Sequence, residues 1–396
     1  MLHLRSPKLP ISLLILTKNE ELCLDFSLPS LKHVVKEIII YDTGSSDRTI
    51  KVAKTHGAKV IEGPIDKKNR SNTRNRLIEC ATQPWILMFD GDFLIAKKDL
   101  PKLVSIINNP KADAYRLPIR YYSNNIPLFF DWKPCRNEYP REEKFSKYFG
   151  YYDAKKIVLF RNRPEIRCRG RIYDIVDASI SENGFRMIES DIVVHHYELL
   201  KGMRHHMKKH AYYFNCTKKD VKEWPHDKIG YLNLLSDLIL TNQNHPEANQ
   251  WALELIKLDP YDNRSWWLRA LIEMGNHRLG LAEKYLIKSV AIQPNFSNLC
   301  LLGWLYLRKN DFGKSQLFLI KALKKQPKHP LAINLLGILK ERSGRYREAL
   351  ILFKKASRIH PGYADAVFNQ AVIYEKIGRS KESRILHKKA KQLTVI

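Results

Sequence analysis

The sequence predicts an α/β domain on a mostly parallel sheet, followed by an all-α solenoid. Before residue 110, short apolar runs alternate with polar–apolar helical stretches, the pattern of a parallel sheet covered on both faces. Farther on, prolines recur at Pro260, Pro294, Pro327 and Pro361, spaced 34, 33 and 34 residues apart, each closing a short phrase (LDP, IQP, KQP, IHP). A period near 34 is that of a helix–turn–helix array in which Pro ends each second helix. The expected division is residues 1–228 and 229–396.

The apolar runs Ile11–Thr17, Glu37–Tyr41, Ala58–Glu62 and Trp85–Phe89 are expected as strands. Glu20–Leu31, Asp47–His56 and Ser71–Ala81 are expected as the helices between them. Sheets of this kind bind ligands beyond the carboxyl ends of their strands, so the residues just past each run matter most. They are Thr17-Lys18-Asn19-Glu20-Glu21, Asp42-Thr43-Gly44-Ser45-Ser46-Asp47 and Asp90-Gly91-Asp92. A helix starting after Gly44-Ser45-Ser46 offers free N–H groups, and Asp47 reads as its N-cap. Two carboxylates one residue apart, directly after an apolar strand, suit a hard divalent cation. Gly91 between them lets the backbone approach a ligand.

Aligned on the prolines, Gly303 and Gly337 share a phase with Ala270 and Ala371. Ala282, Ser315, Ala349 and Ser383 share another, followed by Leu286, Leu319 and Phe353, then Ala322, Ala356 and Ala390. Small residues at fixed phase mark close helix crossings. The pattern resembles the tetratricopeptide repeat, with four repeats over Asn263–Lys391 and a degenerate one over Ile229–Pro260. Such arrays bind peptides or associate with themselves.

Hydrophobic residues make up 44% of the 396, and the chain carries 68 Lys/Arg against 41 Asp/Glu, a net charge of +27. The excess divides almost evenly between the two halves. A positive field of this size favours acidic partners, including an anionic membrane surface, but no nucleic-acid-binding module accompanies it, and no nucleic-acid partner is expected. No apolar run approaches the ~20 residues of a membrane helix, and the start MLHLRSPKLP has no secretory pattern. Six scattered cysteines form no C-x-x-C pair, so neither a disulfide framework nor a zinc site is indicated. A cytoplasmic location, peripheral at the inner membrane face, is the expectation.

The segments ILTKNEE, IIIYDTGSSDRTIKVAKTHGAKV and SNTRNRLIECATQPWILMFDGDF resemble family 2 glycosyltransferases of the GT-A fold over roughly residues 11–110. Together with the repeats they resemble a subgroup that includes lipopolysaccharide-core-type and peptide S-glycosyltransferase-like members. The resemblance implies that Thr17, Asn19 and Glu20 line a nucleotide pocket, that Asp42 hydrogen-bonds the base, usually uracil, and that Arg74 faces the nucleotide. It implies that Asp90 contacts ribose or metal, and that Asp92 coordinates Mn²⁺ or Mg²⁺ bridging the diphosphate. On the acceptor side, IVLFRN (157–162) and GRIYD (170–174) resemble a pattern that commonly reads LFR, then GRIHE. Tyr173-Asp174 replaces His-Glu, which makes Asp174 the candidate base, with Asp177 as fallback. In DIVVHHY (191–197) His196 is the candidate metal ligand and His195 the second choice, since alternation along a strand lets only one face the site. Lys201–Lys209 is a candidate diphosphate clamp, and the aromatic stretch Tyr121–Tyr139 a candidate acceptor loop.

The expected activity is inverting transfer of a sugar from a nucleotide-diphosphate donor, a UDP-sugar, to a saccharide or lipid acceptor in cell-envelope synthesis. The alternatives are a peptide or protein acceptor held by the repeats, and a non-catalytic scaffold.

Overall fold

A computed structural model describes residues 7–66, 68–123, 132–134, 148–173, 175–196, 203–240 and 245–394. The chain divides into two units, one of residues 1–121 and 153–230, the other of 122–152 and 231–396. The second unit therefore takes in a stretch, 122–152, that the sequence reading placed with the α/β domain.

The α/β unit begins with β1 (Leu9–Thr17), α1 (Glu21–Leu31), β2 (Val35–Asp42), α2 (Thr49–Thr55), β3 (Lys59–Glu62), α3 (Arg70–Glu79) and β4 (Trp85–Asp90). Next in chain order come β5 (Phe93–Ile95), α4 (Leu100–Ile107), β6 (Ala114–Ser123), β7 (Lys133–Pro134), β8 (Gly150–Arg161), α5 (Asp177–Glu182), β9 (Met187–Glu189), β10 (Val194–His196) and α6 (Met203–Glu223), of which the end of β6, β7 and the start of β8 fall within 122–152. The sheet order is β3-β2-β1-β4-β8-β6-β10-β5, with β7 on β8 and β9 on β6. The first four strands pair in parallel, whereas β8 joins β4, and β5 joins β10, antiparallel.

The apolar runs are continuous because both faces of the sheet are covered. In β1, Ile11, Leu13 and Ile15 pack with Leu24, Leu28 and Leu31 of α1. Leu14 and Leu16 point the other way, onto Leu77 and Ile78 of α3. β4 splits likewise, Trp85, Leu87 and Phe89 against Ile86 and Met88. Each such side chain taken fully out of water contributes ~2 kcal/mol, which fixes strand register and hence which residues stand at the strand ends.

The helical unit comprises α7 (Lys228–Leu240), whose start precedes the unit boundary, α8 (Ala248–Leu258) and four helix pairs. The pairs are α9 (Asn263–Gly275) with α10 (Leu279–Ile292), α11 (Phe296–Arg308) with α12 (Phe312–Lys325), α13 (Pro330–Arg342) with α14 (Tyr346–Ile359), and α15 (Ala364–Lys376) with α16 (Ser380–Thr394). The residue before each periodic proline is the C-cap of α8, α10, α12 or α14, and each has left helical geometry, with φ between −130° and −153°. Proline disfavours the helical region for its predecessor, so the sequence period becomes the helix period. A Cβ on Gly303 would lie 2.6 Å from Leu319 Cγ, so a side chain there would part α11 from α12. In the same unit Trp132 is fully buried, with its ring 6.0 Å from that of His329 and 5.4 Å from that of His360. Most of the expected acceptor loop, Tyr121–Tyr139, lies outside the described residues.

Candidate active site at the strand ends

Register brings three of the expected segments together. β1 is flanked by β2 and β4, with Thr17 opposite Asp42 and Leu16 opposite Asp90. The carboxyl ends of three adjacent parallel strands thus place Thr17, Asp42 and Asp90 along one edge.

Asp42 is 1% exposed. One oxygen accepts the N–H groups of Gly44 (3.0 Å) and Ser45 (2.8 Å). The other accepts the hydroxyls of Ser45 (2.5 Å) and Thr17 (3.2 Å). A carboxylate has about four lone-pair sites, and all four are taken, so Asp42 shapes its loop from within. Asn19 adopts φ 56°, a left-handed geometry Asn tolerates. Its amide oxygen accepts the Ser46 N–H at 2.8 Å, and its own N–H donates to Ser45 Oγ at 2.8 Å. The Glu20 N–H donates to Thr49 Oγ1 at 2.7 Å. Asp47 stands one residue before the N-cap of α2, Arg48, and accepts the Thr49 N–H at 2.9 Å. Burial works to raise the Asp47 pKa, but its Thr49 hydrogen bonds prevail and hold it below the usual carboxylate range. The two loops are therefore laced to each other by side chains that a strand-end motif supplies.

The Asp90-Gly91-Asp92 pair divides its roles. Arg74, on α3 and 4% exposed, donates to the Phe89 carbonyl at 3.0 Å and to Asp90 Oδ1. Arg70, one helical turn earlier, stands 3.6 Å from the same oxygen. Burial works to raise the Asp90 pKa, but Arg74, then Arg70, Lys156 and His196, outweigh it and hold the carboxyl well below its ordinary value. Asp92 is engaged elsewhere: its Oδ2 is 2.9 Å from His196 Nε2. Antiparallel pairing sets His196 opposite Phe93, next to Asp92 in the chain, and its ring is held edge-on between Phe93 (4.9 Å) and Tyr121 (4.6 Å). Gly91 also packs closely on Glu20, since a Cβ there would lie 3.0 Å from Glu20 Cγ.

Asp42 and Arg74, which the resemblance sets at the base and facing the nucleotide, are both buried and hydrogen-bonded within the protein. Arg70 and Lys156 are the residues the motif reading missed. The i, i+4 spacing of Arg70 and Arg74 on α3 was the available signal. Lys156 sits on β8, beyond any strand-end motif, with its ammonium 5.7 Å above the Tyr121 ring. Asn75 was visible only as Arg74's neighbour, yet it exchanges hydrogen bonds with the Cys168 backbone (2.8 and 3.1 Å). Ser71 Oγ donates to the Gly170 carbonyl at 2.6 Å, so α3 also anchors the GRIYD segment.

Asp174 lies outside the described residues, and of Lys201–Lys209 only the backbone from Met203 onward is described. Arg169 makes a two-pronged pair with Glu182 (2.7 and 2.8 Å), and Arg171 pairs with Asp220 at 2.6 Å and with Glu223. The fallback Asp177 is partly buried beside Arg116 (3.2 Å), and that burial raises its pKa. A cavity of about 250 Å³ opens at the start of α3, lined by Asn69, Asn72, Arg167, Arg169 and Trp224 among others. Asp42, Asp90, Asp92 and His196 do not line it.

Residues 12–163 match the family model for glycosyl transferase family 2, and residues 300–364 and 334–393 match a tetratricopeptide repeat model. The N-terminal domain is a family 2 glycosyltransferase domain. A glycosyltransferase of Rickettsia bellii is 27% identical over 184 residues, 44% of this chain and 60% of its own. The SPbeta prophage-derived glycosyltransferase SunS of Bacillus subtilis is 33% identical over 192 residues, 45% of this chain and 40% of its own. A TPR repeat-containing protein of Synechococcus elongatus is 31% identical over 170 residues, 43% and 36% respectively. The matches thus span between about a third and three-fifths of these relatives' lengths.

No group of three or more His, Cys, Asp or Glu poised around a cation occurs among the described residues. A carboxylate oxygen and an imidazole nitrogen 2.9 Å apart are nevertheless two donor atoms for one ion. Mg²⁺ is commonly held by one or two carboxylates with substrate phosphates and water completing its shell, and imidazole tilts such a site toward Mn²⁺. Asp92 and His196 fit that role, whereas Asp90 is committed to its arginines.

Proposed function

We propose that the chain is an inverting glycosyltransferase that takes its sugar from a nucleotide diphosphate, UDP by preference, and delivers it to a saccharide or lipid acceptor. The observation that carries this reading is the grouping at the end of β4, where Asp92 meets His196 while Arg70, Arg74 and Lys156 surround Asp90.

In this reading Thr17, Asn19, Glu20 and Asp42 frame the nucleotide side, with Asp42 acting through its loop. Asp92 and His196 would hold a divalent cation, which would supply charge stabilisation to the departing diphosphate. Asp90, kept ionised by Arg74 and Arg70, orients the ribose side. Asp174 takes the proton from the acceptor hydroxyl. The acceptor oxygen then bonds to the anomeric carbon as the bond from that carbon to the phosphate oxygen breaks, and the nucleoside diphosphate leaves with the electron pair.

The test is release of UDP from a panel of UDP-sugars with Mn²⁺. Asp92→Asn is expected to abolish it and His196→Ala to lower it at least tenfold, with melting temperatures within a few degrees of wild type. Unchanged release from Asp92→Asn would remove the cation role. No release from any nucleotide sugar by the wild-type protein, together with no heat on mixing UDP and Mn²⁺, would favour the scaffold.

A further inference from the structure

The helical unit does not carry its charge evenly. The second helices of the four pairs (α10, α12, α14, α16) hold fifteen Lys/Arg against three Asp/Glu, and the first helices six against four. Exposed large apolar side chains follow the same division. Leu281, Ile287, Leu317, Ile320, Ile351 and Ile385 lie on second helices, whereas Phe368 is the corresponding residue on a first helix.

These residues keep the repeat period. Buried Ser315, Leu319 and Ala322 mark the inner side of α12, and at 100° per residue Leu317 and Lys321 fall on the opposite side. One period on stand Ile351 and Lys355, and one more brings Ile385 and Lys389, all exposed. Lys288 opens the lysine row on α10, where Ile287 supplies the aliphatic neighbour. The row Lys288, Lys321, Lys355, Lys389 thus has one member per repeat. None of the four pairs with a carboxylate among the described residues, although Lys288 and Lys321 lie over the rings of Trp266 and Phe318 (5.2 and 5.3 Å). Inter-helix packing explains the small residues on the inner side; it places no demand on the outer one.

We propose that this outer face docks on an anionic phospholipid surface. Lysine heads meet lipid phosphates while their stems and the aliphatic side chains enter the boundary between headgroups and acyl chains. The occupant follows from the composition. A second copy of the same face would set lysine against lysine. Single-stranded nucleic acid is gripped through aromatic platforms, and this row alternates lysine with Leu and Ile. The inference stands independently of the glycosyl-transfer reading.

The experiment is co-sedimentation of the full chain with phosphatidylcholine vesicles, with and without phosphatidylglycerol, across a salt series. Binding is expected only with phosphatidylglycerol and is expected to weaken as salt rises. Lys288→Gln, Lys321→Gln, Lys355→Gln and Lys389→Gln are each expected to weaken it about fivefold. Leu317→Ser, Ile351→Ser and Ile385→Ser combined are expected to weaken it at least tenfold while keeping its salt dependence. UDP release in the absence of vesicles is expected to be unchanged in all of these, so failure here is separable from failure at the strand-end site. No binding to anionic vesicles, or binding indifferent to both sets of changes, would overturn the proposal. So would tight binding of a mixed RNA that the serine variant retains in full, which would assign the face to nucleic acid.

Discussion

Replacing Arg74 with Ala tests whether that guanidinium is a strut or a nucleotide contact. Arg74 is buried and bonded to two acceptors, the Phe89 carbonyl and Asp90. Truncating one partner of a fully buried ion pair costs ~3–5 kcal/mol. The Asp90 side chain is 38% exposed, and water and Arg70 take up part of the load, so the ionic share is discounted to ~1 kcal/mol. The carbonyl left without its charged donor adds ~1–2 kcal/mol. The sum, ~2–3 kcal/mol, corresponds to a fall of about 5–10 °C in the melting temperature of the α/β unit. The loss depends on pH with a definite sign. Arg74 depresses the Asp90 pKa, so its stabilisation is complete above the unfolded carboxylate value near 3.9 and fades as pH falls toward the folded value. Thermal melts of wild type and Arg74→Ala should therefore differ fully at pH 7, and below about pH 4 the gap should narrow toward the ~1–2 kcal/mol share of the Phe89 carbonyl, which does not titrate. Arg74→Lys should fall between them. A variant that melts like wild type at pH 7 but has a tenfold higher KM for the donor would refute the strut and restore the nucleotide contact.

Three further outcomes follow from the same geometry. Gly303→Ala should destabilise the helical unit by ~1–3 kcal/mol through overpacking against Leu319, read as an earlier denaturant midpoint with an unchanged slope. Burial lowers the His329 pKa to about 3, so between about pH 6.5 and 3 the unfolded chain takes up a proton that the fold refuses, and stability falls as pH drops through that window. His329→Phe, with the ring still against Phe296 (3.9 Å), should flatten that part of the melting-temperature profile. Asn75→Ala frees the Cys168 backbone from α3 and should speed amide exchange across residues 168–173, and a wild-type exchange pattern there would contradict the anchoring role of Asn75.

Strands β1 to β4 and the repeat helices were legible because each follows from one local rule. A doubly covered strand must be apolar throughout, and a residue before proline must leave the helix. The strand-end loops were legible as places, since Thr17, Asp42 and Asp90 do come together at one edge. Their partners were not, because those arrive through long-range register: β10 reaches β5 from about a hundred residues away, and Lys156 sits on β8, which pairs antiparallel with β4. The packing of Trp132 was not legible for the same reason, as nothing in the neighbouring sequence announces that its ring lies against His329 and His360.

The Asp-x-Asp motif shows what a pattern conveys and what it conceals. As sequence, Asp90 and Asp92 are equivalent carboxylates one residue apart. In the fold they face different neighbours. Asp90 turns toward α3, where Arg70 and Arg74 share a helix face and fix its charge. Asp92 turns toward β10, where a histidine edged by two aromatic rings meets it at hydrogen-bond distance. Two equivalent anions at the end of one strand would repel each other and compete for one ion. Committing the first to a permanent counter-charge leaves the second as the available acidic ligand, with its coordination completed from outside the protein. On the proposed reading the cation site would be incomplete until a phosphate arrived, which would couple metal binding to donor binding without any moving part. That coupling is measurable, since Mn²⁺ affinity should rise severalfold in the presence of UDP and should not do so in Asp92→Asn.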